Sequence, residues 1–161
     1  MTTESATPLA STGRGTGRIR RIVVGVDGSP SSKSALRWAG RLLALFGGEI
    51  EAVTSWEYPS SYGWGVGLPS DWRPDLDAAK ALESAVDEVF GTERPPGLTC
   101  TVREGRASYV LLEVSQDAGL LIVGSRGHGG FAGLLLGSVS AACTEHAKCP
   151  VLVAHGDPEQ H

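Results

Sequence analysis

Gly124, Gly127, Gly137 and Ser138 stand with two and then nine residues between the glycines, where the apolar run Leu120–Val123 gives way to a glycine-rich turn and then to a helix start. A strand, a glycine-rich turn and a helix N-terminus are the parts of a phosphate cradle. Backbone N–H groups converge on one anion, and the helix dipole favours negative charge there. Gly127, Gly129 and Gly130 let the backbone turn its N–H groups inward. Gly137, Ser138, Val139 and Ser140 would offer the N–H groups of the first helical turn, with hydroxyls beside them. Arg126 and His128 are the side chains able to add a cation or a hydrogen bond. The spacing is not a Walker A loop, since no GxxxxGK[ST] occurs and no lysine lies in the turn. Nor is it a dinucleotide fingerprint, which would follow the first strand.

A second constellation is Gly25-Val26-Asp27-Gly28-Ser29-Pro30. Asp27 closes an apolar run and could accept hydrogen bonds from a ribose hydroxyl or an adenine amine, or hold Mg2+ through water. The alternative is a structural role, capping the helix that follows. Val53 and Thr54 end another apolar run, where backbone groups could meet an adenine edge. Gly105 permits close approach, and Ala107 is small enough to leave room.

These residues need elements to hold them. IRRIVVGVD reads as a first strand over 20–26, almost all apolar, as a strand covered on both faces should be. Ser29 caps and Pro30 opens a helix whose apolar face carries Ala35, Trp38, Ala39, Leu42, Leu43 and Leu45. Gly47-Gly48 stops it. Further strands follow over 49–55, 98–105, 119–124 and 150–155. The intervening helices cover 75–90, 107–118 and 137–146. A loop over 57–74 carries Tyr58, Tyr62, Trp64 and Trp72, either as a lid or partner surface or packed on the domain. The alternation of strand and helix demands a doubly wound, mostly parallel α/β sheet with helices on both faces. The ligand of such a sheet sits beyond the carboxyl ends of its strands, where Asp27, Thr54, Glu104 and Gly124 gather.

Composition narrows the classes. The 161 residues suit one α/β domain, expected over 18–156, with a disordered tail over 1–17 and a short tail over 157–161. Net charge is −4; the first 21 residues carry four arginines against Glu4, so the remainder is more acidic still. No basic footprint for nucleic acid is present. No apolar run reaches membrane-spanning length and the N-terminus lacks a signal-peptide core, so the expectation is a cytoplasmic protein with no membrane partner. Cys100, Cys143 and Cys149 form neither a zinc knuckle nor a CxxC pair and suit a reducing compartment.

Taken together, Gly124-x2-Gly127-x9-Gly137-Ser138, the opening Val26-Asp27-Gly28-Ser29 and the closing Cys149-Pro150-Val151-Leu152-Val153 resemble the universal stress protein family over about residues 19–155. The resemblance implies a five-stranded parallel sheet in the order 3-2-1-4-5. It also implies a homodimer pairing through the C-terminal strand Pro150 to Ala154, and binding of ATP (or AMP or ADP), with Mg2+ as a companion. By the same resemblance Gly25, Val26, Asp27 and Gly28 would meet the adenosine, Val53 the base, and Gly124, Gly127, His128, Gly129, Gly137 and Ser138 the phosphates, with Val139 and Ser140 behind them. Gly105-Arg106-Ala107 departs from the family's frequent G-x-P. A regulatory nucleotide-binding protein of the stress response, with unidentified regulatory partners, is the leading expectation. No catalytic base is identifiable. A weak Mg2+-dependent ATPase and a nucleotide-independent scaffold are the alternatives.

Overall fold

The computed structural model describes residues 19–59, 67, 69–128 and 135–156. The expected tails over 1–17 and 157–161, the aromatics Tyr62 and Trp64, and Gly129 and Gly130 lie outside the described residues. Elements alternate along the chain as β1 (Arg21–Gly25), α1 (Pro30–Phe46), β2 (Glu49–Trp56), α2 (Pro74–Phe90), β3 (Leu98–Glu104), α3 (Ala107–Val114), β4 (Leu120–Gly124), α4 (Ser138–His146) and β5 (Val151–Ala154). Every neighbouring pair is parallel, and the order across the sheet is β3-β2-β1-β4-β5. This is the doubly wound sheet expected from the alternation.

Successive strand side chains point to opposite faces, so β1 feeds two cores at once. Ile22 and Val24 pack with Ile50 and Ile122 against Leu36, Ala39, Leu82 and Val86 of α1 and α2. Val23 packs with Val53, Leu121 and Val123 against Val110, Leu111 and Cys143 of α3 and α4. Helices cover both faces, which is why the central strands read as unbroken apolar runs.

Two expectations are corrected here. Trp38 and Leu45 do not face the core: they are 41% and 75% exposed, while Leu36 is fully buried. α1 must pack on the sheet and on α2 together. Gly40 abuts Phe90, whose ring would lie 2.8 Å from a Cβ there, and Trp38 faces outward, where the Arg41 guanidinium lies 5.3 Å from its ring centre. The third helix ends at Val114, not at 118. Its end tightens: the Gln116 N–H bonds the Glu113 carbonyl at 3.3 Å rather than that of Leu112, and the Ala118 N–H turns to the Ser115 carbonyl at 3.1 Å. The Val114 carbonyl accepts from the Arg21 guanidinium at 2.9 Å.

Arg21 thus caps α3 from the first strand. It also pairs with Glu51 on β2 at 2.5 Å and with the exposed Asp117, and Glu51 accepts in turn from Thr101 on β3 at 2.9 Å. One guanidinium ties three elements at the amino end of the sheet. Arg21→Ala leaves the largely buried Glu51 carboxylate with Thr101 but no cation and a helix carbonyl without its partner, and is expected to lower unfolding free energy by about 1–3 kcal/mol. Asp117→Asn, at the exposed side of the same network, is expected to cost less than about 1 kcal/mol. Urea unfolding of the two variants beside the parent checks both figures.

Candidate functional site

The crossovers of this sheet diverge between β1 and β4. Their carboxyl ends, Gly25 and Gly124, flank the crevice where an open α/β sheet takes its ligand. A cavity of about 370 Å3 opens there. Its floor is Val53, Val110, Leu111 and Val123, its β1 wall is Gly25, Val26 and Asp27, and its β4 wall is Gly124, Arg126, Gly127 and His128. Gly137, Ser138, Val139 and Ser140 close it from the start of α4.

Hydrogen bonds hold this rim. The Asp27 carboxylate accepts from the Ser29 N–H at 2.9 Å, and Ser29 caps α1 by accepting from the Ser32 N–H at 3.3 Å. The structural and the ligand-facing readings of Asp27 therefore coexist: Oδ1 is engaged in the turn, and the exposed side chain still lines the cavity. The Ser125 carbonyl accepts from the Gly137 N–H at 2.7 Å and from the Ser140 hydroxyl at 3.0 Å, drawing the start of α4 onto the end of β4. Ala141 is the first residue of α4 whose N–H is bonded within the helix, to Gly137. By helix geometry the N–H groups of Ser138, Val139 and Ser140 have no intrahelical acceptor, and no side chain caps α4. This end of α4 can receive an anion.

The expected residues divide on inspection. Gly25, Val26, Asp27, Val53, Gly124, Arg126, Gly127, His128, Gly137, Ser138, Val139 and Ser140 all line the one cavity. Gly28 and Gly105 do not. Gly28 takes φ +81°, the conformation that lets the chain leave β1 sharply for α1. Gly105 closes β3, donating its N–H to the Trp56 carbonyl at 2.9 Å. Gly129 lies outside the described residues. Gly127 does not adopt the left-handed backbone that its residue type suggests. A Cβ there would stand 2.7 Å from Asp27 Oδ2, so this glycine leaves room for a carboxylate. Ser29 and Ser55, at the ends expected to face the ligand, also line the cavity, whereas sequence reasoning missed Ser32, Val110, Leu111 and Val123 as lining residues. The helix-period spacing of Val110 and Leu111 with Val114 marks a buried face, but nothing in the sequence says that this face floors a cavity.

His128 is not free to swing. Its Nε2 lies 3.0 Å from the Asp27 carbonyl, an acceptor, so Nε2 carries the proton and donates. Arg126 is exposed at the rim. Among the described residues no group of three His, Cys, Asp or Glu side chains is arranged to hold a metal ion. Asp27 offers a single carboxylate, so a Mg2+ at this site would take its remaining oxygens from water and from a ligand's phosphates. Among the described aromatics of the 57–74 loop, Tyr58 contacts Trp56 and Trp72 edge to face, with centroids 5.1 and 6.2 Å apart, and none of the three lines the cavity.

Comparison with known proteins agrees with this geometry. Residues 18–155 match the universal stress protein family. The chain belongs to that family. It is 33% identical over 145 residues to a universal stress protein of Mycobacterium tuberculosis, an alignment covering 84% of this chain and 48% of the relative. It is 30% identical over 145 residues to one of Mycolicibacterium smegmatis, covering 86% and 49%. The chain thus spans about half the length of the curated relatives it matches. A crystal structure of a universal stress protein in complex with cAMP superposes with a TM-score of 0.58 at 25% identity, covering 88% of this chain and all of that one. A second solved protein, MJ0577, shares the fold with a TM-score of 0.68 at 18% identity, covering 86% and 97%. Among the described residues no helix is long and apolar enough to cross a membrane.

The thiols are placed away from this chemistry. Burial, with a smaller contribution from Cys149, pushes the Cys143 thiol up to about 11. Burial followed by the nearby Glu83 carboxylate does the same for Cys100. Both stay protonated in the fold where the unfolded chain, with a thiol value near 9, already ionises. The unfolded state then binds fewer protons, so their contribution is whole below pH 9 and is lost as pH rises toward 11. The urea midpoint is expected to fall between pH 8 and 10.5, and to fall less in the Cys100→Ala, Cys143→Ala double variant.

Proposed function

We propose that this protein binds an adenine nucleotide, ATP foremost, and acts as a regulatory component of a stress response. The observation that carries this reading is the cavity at the β1/β4 divergence. It pairs an apolar floor, suited to a base, with the uncapped N-terminus of α4 and the glycine-rich turn, suited to phosphates. The family relative crystallised with cAMP supports an adenine nucleotide as the ligand class. In this reading Val53 and Val26 face the base, Asp27 a ribose hydroxyl or a Mg2+ held through water, and Gly127, Gly137 and Ser138 the phosphates, with Arg126 supplying positive charge.

The site favours holding a nucleotide over turning it over. Among the described residues lining the cavity Asp27 is the only carboxylate, Arg126 the only permanent cation, and no lysine is present. Rapid phosphoryl transfer needs a positioned attacking group, metal and charge compensation together. Bound nucleotide would order the turn after β4 and so alter the surface offered to regulatory partners. We further propose that the protein is a homodimer in the cytoplasm. β5 is an edge strand whose Val151, Leu152 and Val153 are only half-buried, and pairing with a second copy along Pro150–Ala154 would cover it. The three thiols are free, as a reducing compartment requires.

The test is to purify the protein without added nucleotide, denature it and identify what is released, then titrate the emptied protein with ATP and Mg2+. ATP approaching one per chain, or saturable binding on titration, is expected; neither release nor binding overturns the reading. Gly137→Ala is expected to weaken ATP at least about tenfold while moving the melting temperature by only a few degrees. The atoms nearest a Cβ at Gly137 are 3.5–3.6 Å away, ordinary contacts, and its backbone is not left-handed. Light scattering should report twice the chain mass, and a monomer at micromolar concentration would refute the dimer.

A further inference from the structure

Two buried hydroxyls in the first turn of α1 reach across to the turn after β4 and end on one atom. Ser31 Oγ donates to the Arg126 carbonyl, and Ser29 Oγ donates to the same oxygen at 3.3 Å. The two hydroxyls lie 3.4 Å from each other. Both serines are nearly inaccessible, at 3% for Ser29 and 6% for Ser31. Arg126 sits between Gly124 and Gly127 in the wall of the cavity, so this carbonyl sets the direction in which the glycine-rich turn departs.

The same contact accounts for the first glycine of the motif. Gly124 has ordinary backbone angles, so conformation does not demand a glycine. A Cβ there would overlap Ser31 Oγ and stand 2.8 Å from both the Ser31 carbonyl carbon and the Ser32 amide nitrogen. The obstacle is mostly backbone and cannot swing aside. Gly124 is a glycine so that the start of α1 can lie against the end of β4 closely enough for Ser31 to reach Arg126.

We propose that Ser31, assisted by Ser29, is a positioning residue of the nucleotide site: its hydroxyl on the Arg126 carbonyl fixes the course of the glycine-rich turn, and Gly124 exists to admit that contact. The consequence for ligand binding rests on the nucleotide reading given above; the tether itself does not. Ser31 is the cleaner residue to test, because Ser29 also caps α1 through the Ser32 N–H, whereas the Ser31 hydroxyl hydrogen-bonds only with Ser29 and Arg126 among the described residues.

The experiment compares Ser31→Ala with the parent and with Ser34→Ala, a serine buried on the same helix that does not line the cavity. Hydrogen exchange of the ligand-free proteins is read first. Exchange at the Ser125 and Gly137 amides, which donate to the Ala154 and Ser125 carbonyls beside this tether, is expected to rise at least about tenfold in Ser31→Ala and to stay at the parental rate in Ser34→Ala. Titrations with ATP and with adenosine follow. ATP affinity is expected to drop about tenfold in Ser31→Ala while adenosine, which lacks the phosphates that the turn would hold, changes less than about twofold. Unchanged exchange at Ser125 and Gly137 overturns the proposal, as does an equal loss for ATP and adenosine. A parent that binds neither ligand refutes the nucleotide reading alone, and the exchange comparison still decides whether Ser31 holds the turn. Gly124→Ala is expected to raise exchange at the same amides; if it does not fold, Ser31→Ala carries the test.

Discussion

Two adjacent peptide carbonyls, those of Ser125 and Arg126, bear the hydrogen bonds on which the candidate site depends. The Ser125 carbonyl takes the Gly137 N–H and the Ser140 hydroxyl, and the Arg126 carbonyl takes the hydroxyls of Ser29 and Ser31. The Ser125 N–H donates to Ala154 at the end of β5. Through two residues, then, β4 is joined to the starts of α1 and α4 and to the edge strand. A buried carbonyl left unpaired is costly, so the chain places a serine or a glycine N–H at each of these points. Four of the buried polar residues, Ser29, Ser31, Ser125 and Ser140, belong to this one region.

The opposite end of the sheet is built by different means. There Arg21 gathers Glu51, Asp117 and the last carbonyl of α3 around one guanidinium. The carboxyl end, by contrast, is kept short-range and largely uncharged, with hydroxyls and amides doing the joining and Asp27 and Arg126 left exposed at the rim. That division suits a protein whose ligand carries its own charge. Fixed ion pairs hold the amino end, and among the described residues the end facing the cavity keeps Asp27 and Arg126 out of ion pairs. The apolar floor of Val53, Val110, Leu111 and Val123 is contributed by three elements of the core, so the ligand face and the stability of the α3/α4 layer share residues.

Some of this was legible in the chain and some was not. The unbroken apolar runs of β1 and β4 announce strands covered on both faces, and Ser29-Pro30 announces the start of α1. The glycine spacing from Gly124 to Gly137 marks the turn at the site. Helix limits were less legible. The Val114 carbonyl at the end of α3 is met by a guanidinium 93 residues away in sequence, a partner that no local window contains. The face of α1 was misassigned at Trp38 and Leu45 because periodicity gives a stripe but not its azimuth. In the fold Ala35, Leu36 and Ala39 take the core face, and Gly40 lies against Phe90.

The sequence by itself determined the kinds of element, their order and the presence of a glycine-rich turn between a strand and a helix. Those follow from side-chain period and backbone preference, which act over a few residues. Only the tertiary structure decided what each glycine is for. Gly127 leaves room for the Asp27 carboxylate, Gly124 for the start of α1, and Gly28 for a left-handed turn, and all three are the same letter in the chain. It also decided that Ser31, silent in any motif, meets the loop that Gly124 opens. These are contacts between segments about a hundred residues apart, and such contacts exist only once the parallel crossovers have brought the ends of β1 and β4 side by side.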